Sequence, residues 1–420
     1  MQADLIVTQA AQLLTVAGGR GPKRGAAMSD LAIIKDGALA VRDGRIVAVG
    51  TSAELLAEYR SENVIEAGGR VVMPGFVDPH THLVWAGDRA GEFEQRLAGA
   101  TYMEIMAAGG GIMSTVRATR AAPLEGLLAQ SRARLDTMLA HGTTTAEVKT
   151  GYGLELAAEL KQLEAIYLLD ATHPMDLVPT FLGAHAVPAE YQGRAGDYVD
   201  LVLVMLPIMR KMHRSAAGDR PFFCDVFCED GAFDLAQSRR VLEAAKPLGL
   251  GLKIHVDEFK PLGGTRLAVE LGAISADHIV CTPPDEIELL ARSDTIAVGL
   301  PGTPFGLGHH EYTPARDIIG AGGALALASD LNPGTCWCES MQLIIALACR
   351  YMGMTPAEAI VASTLNGACA VGLGQETGSL EAGKWADLII LNVDDYRHLG
   401  YRFGSNLVGT VIKRGTVVAG

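Results

Sequence analysis

The 420-residue chain has no apolar run near the ~20 residues that a membrane span requires. Its best candidate, Leu201 to Met209, is interrupted by Pro207. The start, MQADLIVTQAAQLLTV, carries an early Asp and no basic residue, so it does not read as a secretory signal. Lysine and arginine form no cluster, and 35 basic against 48 acidic residues give a formal charge of -13. That balance argues against a nucleic-acid binder. Seven cysteines, an odd number without framework spacing, argue against a disulfide-stapled secreted protein. The expectation is a reduced, cytoplasmic protein without nucleic-acid or membrane partners. A GxGxxG directly after a strand is also missing, since neither Gly109–Gly111 nor Gly302–Gly308 has that setting. A nucleotide-dependent oxidoreductase on an open, doubly wound sheet thereby loses its main support.

What is present is a large core. Hydrophobic residues make up 49% of the chain, and 49 glycines are scattered without a period, which excludes fibrous and disordered classes. Both ends are strand-rich. Residues 38–50 alternate about Asp43-Gly44, and residues 408–419 fold about Arg414-Gly415, each a hairpin signal. The economical reading is one small β-sandwich assembled from residues 1–70 and 376–420, with a larger unit over 71–375 inserted between them. Inside that unit, eight strand candidates (71–77, 143–149, 177–182, 222–227, 251–255, 276–280, 295–300 and 324–329) alternate with helical patterns. In one of these, Leu124, Leu127, Leu128, Leu135, Met138 and Leu139 share a face. In another, Thr355-Pro356-x-Glu358 has capping-box spacing. The expected fold class is α/β, a TIM (β/α)8 barrel with a small β-sandwich built from both chain termini.

Chemistry concentrates at strand ends. Asp78-Pro79-His80-Thr81-His82 follows the first strand, and residues i and i+2 of an extended chain point the same way. Two imidazoles can therefore meet one ion. His255 closes the fifth strand, His278 the sixth and Asp330 the eighth, all on the face where barrel active sites are built. Histidine and carboxylate without thiolate suit zinc or a non-haem iron. His80, His82, His255 and Asp330 are the expected ligands of one such ion, leaving a position for water. His278 then fits an outer role, polarising the water or the reacting carbonyl. Glu258 lies one short turn past His255, where it could shuttle a proton; taken alone, it reads equally well as a solvated loop carboxylate.

This pattern resembles the amidohydrolase superfamily. Several longer stretches are similar to the imidazolonepropionase family within it: residues 77–102 with AGDR (86–89), KTGYG (149–153), GAHAVP (183–188), 224–233, KIHVDEF (253–259), SDLNPGT (329–335) and 400–415. The resemblance implies hydrolysis of a small anionic cyclic amide, 4-imidazolone-5-propanoate, to N-formimidoyl-L-glutamate in histidine breakdown. It implies one transition metal ion, Zn or Fe, and a homodimer. It makes Glu258 the proton shuttle, with His278 and Asp330 as its catalytic companions. It also implies substrate contacts from Arg89, Tyr102, Tyr152, His185, Glu258, Asn332, Gly334 and Thr335. Arg89 makes independent sense, because a carboxylate entering a protein of charge -13 needs a guanidinium.

Other features read as structure. Lys149 is an internal ion-pair candidate, and Cys336 and Cys338 are expected to be buried thiols. His141 caps a helix at the stability face, while His173, His213 and His398 lack partners at ligand spacing. The fourth strand carries no lysine of the kind that bridges two metals in some superfamily members, so one ion is expected. The segment 304–312 departs from the family expectation, and its His309 and His310 bear on substrate fit. Two rival readings remain. A deaminase of a nucleobase-like ring would release ammonia, and a metal-free scaffold would lack part of the ligand set that is complete here.

Overall fold

The computed structural model describes residues 1–19, 21–100, 104 and 109–420. Its centre is a parallel eight-stranded sheet in which strand order follows chain order. The strands are β1 (Phe76–Asp78), β2 (Thr143–Lys149), β3 (Asp176–Ala184), β4 (Phe223–Cys228), β5 (Gly251–Val256), β6 (Ser275–His278), β7 (Ile296–Gly299) and β8 (Leu325–Leu327). The first and last strands join just past their ends. Asp330 N–H donates to the His80 carbonyl at 3.1 Å, and His82 N–H donates to the Leu331 carbonyl at 2.9 Å. The barrel therefore closes through the residues that carry the candidate ligands.

Helices between the strands cover the outside. Leu124–Ala140 buries Leu127, Leu135, Met138 and Leu139 on the expected face, with Leu124 and Leu128 packed at its edge. The helix Pro356–Ala362 starts on the expected Thr355/Glu358 capping box. The apolar run 201–209 lies within the helix Ala195–Ala217, and no described helix is long and apolar enough to cross a membrane.

The two termini build the remaining sheets. One runs Arg45–Thr51, Gly37–Arg42, Leu5–Ala10, Val64–Glu66; the other runs Thr416–Ala419, Val408–Lys413, Leu388–Leu391, Val71–Pro74, Gln12–Leu14, Ile33–Ile34. Leu5, Val7, Leu39 and Val41 from the first pack with Leu13, Val72, Leu388, Ile390 and Ile412 from the second in one core. Neither terminus could bury these faces alone, which is why both are needed.

The expected first barrel strand over 71–77 divides in two. Val71–Pro74 joins the sandwich beside Leu388–Leu391, and only Phe76–Asp78 enters the barrel. Gly75 is the pivot: its N–H donates to the Asp387 carbonyl, and a Cβ there would stand 2.9 Å from the Cβ of Thr144 on β2. Thr144 is fully buried and β-branched, so it cannot swing aside. Gly75→Ala is expected to destabilise the protein by about 1–3 kcal/mol through overpacking. Urea denaturation measures it, and an unchanged midpoint would refute the pivot.

Candidate metal centre at the mouth of the barrel

Four imidazoles converge beyond the strand ends. His80 and His82 stand two residues apart after β1, His255 faces inward on β5, and His278 ends β6. All are buried, as is Asp330 after β8. The candidate ligand atoms of His80, His82 and Asp330 lie within 4.8 Å of one another, and so do those of His80, His255 and His278. The expected ligands His80, His82, His255 and Asp330 do not form one such group: His255 falls in a triplet with His80 and His278, His82 and Asp330 in another with His80, and His278 approaches more closely than an outer role requires. An Asp330 oxygen is 3.5 Å from His80 Nε2 and 3.4 Å from His82 Nε2. Its other oxygen accepts a hydrogen bond from Thr303.

The donor set fits a metal. His80 Nε2, His255 Nε2 and His82 Nδ1 are buried without a hydrogen-bond partner among the described residues. Such atoms are costly to leave unpaired. Burial lowers the imidazoles of His82 and His278 to about 3 and that of His255 to about 4. Burial also holds His80 well below the ordinary value, with Lys149 adding to the effect. All four are neutral at pH 7, the form that ligates. Two site residues also sit in left-handed backbone, His278 at φ 78° and Asp330 at φ 53°. Non-glycine residues hold that region only where the surroundings impose it.

Around the cluster, Glu258 is 10% exposed, and its Oε2 is 3.7 Å from His278 Nε2. Burial, then Asp330 and Glu229, push its carboxyl well above the usual carboxylate range. His185 stacks on His82 with ring centroids 4.8 Å apart, its Nδ1 facing the Gly151 carbonyl at 3.0 Å. Tyr152 is buried against both rings, 5.8 Å from His82 and 5.3 Å from His185. Burial raises its phenol, Asp330 adds to this, and Arg89 opposes it. Arg89 donates to Glu92 at 2.7 Å and lies against Gly334, where an added Cβ would collide with the guanidinium. Asn332 spends its side chain on its own loop: Nδ2 donates to the Asp330 carbonyl and Thr335 Oγ1, and Oδ1 accepts from Gly334 and Thr335 N–H. Asn332, Gly334 and Thr335 therefore form a fixed wall beside Arg89. Tyr102 lies outside the described residues.

Segment 304–312 reaches the mouth. A cavity of about 160 Å³ is lined by Glu258, Phe259, His278, Cys281, His309 and Glu311. His309 is set edge-on to Phe259, and both His309 and His310 are exposed. Cys336 is a buried free thiol packed at Gly302, and Cys338 is free and half-buried. His173 and His213 have structural partners: Asp136 for the first, and Tyr167 and the Arg220 carbonyl for the second. His141 caps the helix Leu124–Ala140.

Sequence reasoning missed the residues under the histidines. Asp277 accepts from His80 Nδ1 at 2.6 Å, and Asp225 lies 3.0 Å from His255 Nδ1. The available signal was charge inside apolar strands, at Asp225 in FFCDVFC and Asp277 just before His278.

Comparison with known proteins points one way. A profile of the Amidohydrolase family matches residues 229–418, and one for an imidazolonepropionase-like composite domain of bacteria matches residues 37–60. The chain is 56% identical over 418 residues to the imidazolonepropionase of Herpetosiphon aurantiacus, covering 99% of this chain and 97% of that one. It is 55% identical to the imidazolonepropionase of Chloroflexus aggregans, with 99% and 98% covered. Among solved structures, a triazine hydrolase variant superposes with TM-score 0.74 at 16% identity, covering 99% of this chain and 94% of that one. A zinc-bound adenosine deaminase from Xanthomonas campestris gives 0.71 at 20%, covering 99% and 93%. At such identities the structural likeness is of fold alone.

Proposed function

The chain belongs to the imidazolonepropionase family of amidohydrolases, and from that premise we propose how its barrel mouth works. The protein is a hydrolase that opens the cyclic amide C–N bond of 4-imidazolone-5-propanoate to give N-formimidoyl-L-glutamate, in histidine degradation. The observation that carries the site assignment is the pair of buried Nε2 atoms on His80 and His255 without a hydrogen-bond partner among the described residues, the first of them 3.5 Å from the Asp330 carboxylate.

His80, His82, His255 and Asp330 would hold one transition metal ion, zinc or iron. When bound, that ion supplies a water whose pKa falls to about 7, and with it a nucleophile at neutral pH. Glu258 holds a proton within reach of the cleaved ring and delivers it to the leaving nitrogen, so the ring opens to a neutral formimidoyl group that stays joined to the glutamate skeleton. His278, 3.7 Å from Glu258, donates to the oxygen that gains charge as the carbonyl becomes tetrahedral. Asp330 is the group that would accept a proton from the attacking water. Tyr152 and His185 wall the ring, and Arg89 grips the propanoate against Asn332, Gly334 and Thr335, with Tyr102 assigned to the same contact.

Arg89→Met is expected to raise KM for the anionic substrate roughly 10–100-fold, the worth of a charge-assisted hydrogen bond, while kcat changes little. Steady-state kinetics check this, and the effect should vanish with the corresponding propanamide. An equal loss on both substrates would remove Arg89 from carboxylate recognition.

The overall test is turnover of imidazolone propanoate against a panel of cyclic amides and aminated bases, with metal content measured on the same sample. Ammonia release from an aminated base, without opening of the imidazolone, would favour the deaminase reading. The proposal extends to the domain limits, with residues 1–70 and 376–420 for the sandwich and 71–375 for the barrel, and to a cytoplasmic homodimer. Light scattering checks the last.

A further inference from the structure

Five ionisable side chains fill the barrel beneath the cluster: Glu147, Lys149, Asp225, Lys253 and Asp277, each with 0% exposure. Buried charges cost several kcal/mol apiece unless they are paired and hydrogen-bonded. Their arrangement is specific. Lys149 Nζ donates to Glu147 at 2.7 Å and to Asp225 Oδ2 at 2.8 Å, and lies 3.9 Å from Asp277 Oδ2. The same carboxylate oxygens also meet the rings: Asp225 Oδ2 lies 3.0 Å from His255 Nδ1, and Asp277 Oδ2 accepts from His80 Nδ1 at 2.6 Å. Past each ring lies a bare Nε2. Two lines of contact thus run from one ammonium, through two carboxylates and two imidazoles, to two adjacent unpaired nitrogens.

An ionised carboxylate can only accept, so it fixes the proton on Nδ1 and leaves the Nε2 lone pair facing the centre. We infer that Lys149 is a positioning residue for the metal site: through Asp225 and Asp277 it holds both His255 and His80 in the tautomer and orientation that ligate through Nε2. This rests on the metal-site reading above. Lys253 is as near to Asp277 Oδ2 as Lys149 is, at 3.9 Å, but it donates to the Pro79 carbonyl at 2.9 Å and makes no ion pair with Asp225 among the described residues, so Lys149 is the cation that the two aspartates share. His82 stands outside the arrangement, with its Nδ1 unpartnered. Without Lys149, Asp225 and Asp277 face one another's charge across the barrel with no shared cation. Rotation of either frees the ring it holds.

The test uses the full-length protein labelled with ¹⁵N-histidine and freed of metal. Long-range ¹H–¹⁵N spectra of the parent should show His80 and His255 as pure Nδ1–H tautomers. In Lys149→Gln both should become mixed, and zinc affinity measured by chelator competition should fall about 10–100-fold. Asp277→Asn, which keeps size and fold, should disturb His80 and leave His255 unchanged, so the idea stays testable if the lysine variant does not fold. The combined variant should lose less affinity than the two single losses added together, because both act through one carboxylate. A folded Lys149→Gln with parental ring spectra and zinc affinity would overturn the inference, as would full additivity. Mixed tautomers in the parent would overturn it whatever the metal content. Pure tautomers in a parent that binds no metal would support it and instead remove the metal-site reading.

Discussion

Replacing Asp330 with alanine is expected to strip the metal and to lower kcat/KM by about 10⁴-fold or more, the equivalent of the several kcal/mol that a metal contributes. No other described carboxylate shares a ligand-distance group with two of the imidazoles. One of its oxygens faces His80 and His82, and Thr303 holds the other. Its left-handed backbone fixes where the carboxylate points, so no neighbouring side chain can take its place. Alanine also deletes the group assigned to take the water's proton. Metal analysis by mass spectrometry, turnover and circular dichroism on one preparation separate these effects. A folded variant that keeps one metal per chain and parental turnover would end the assignment.

Glu258→Gln comes second, with an expected fall in kcat of about 10²–10⁴-fold at unchanged metal content and unchanged melting temperature. The amide keeps the shape and loses the transferable proton. Burial raises the Glu258 carboxyl well above the usual carboxylate range, and Asp330 and Glu229 raise it further, which favours the form that carries a proton. A general acid matters most for a poor leaving group. Cyclic amides with less basic leaving nitrogens should therefore lose less on substitution, and that gradient distinguishes proton delivery from simple distortion of the pocket. A loss within a few-fold on every substrate would return Glu258 to the status of a loop carboxylate.

The local sequence determined a good deal of this protein. Hairpins form at Asp43-Gly44 and Arg414-Gly415 because those pairs supply the turn backbone, and both are present. Thr355 and Glu358 cap their helix because their three-residue spacing lets each side chain reach the other's backbone N–H, even though Arg316 also pairs with Glu358. His80 and His82 share a side because an extended chain repeats every two residues. A polar residue ending an apolar strand marks the rim of a barrel, and that alone brought His255, His278 and Asp330 into one reading.

Only the tertiary structure decided what lies opposite what. Lys149 meets Asp225 across 76 positions, and His80 meets Asp277 across 197. These distances are set by the register of the parallel strands, which places His255 level with Asp277 and Phe227 level with His255. Register is a property of the closed sheet, and no single strand encodes it. The break at Gly75 is only partly of the same kind: Pro74-Gly75 already interrupts residues 71–77 with a turn signal, whereas the lack of room for a Cβ comes from Thr144 on a neighbouring strand. Alternation within a strand tells which side chains turn inward, while the partners they find there depend on seven other strands.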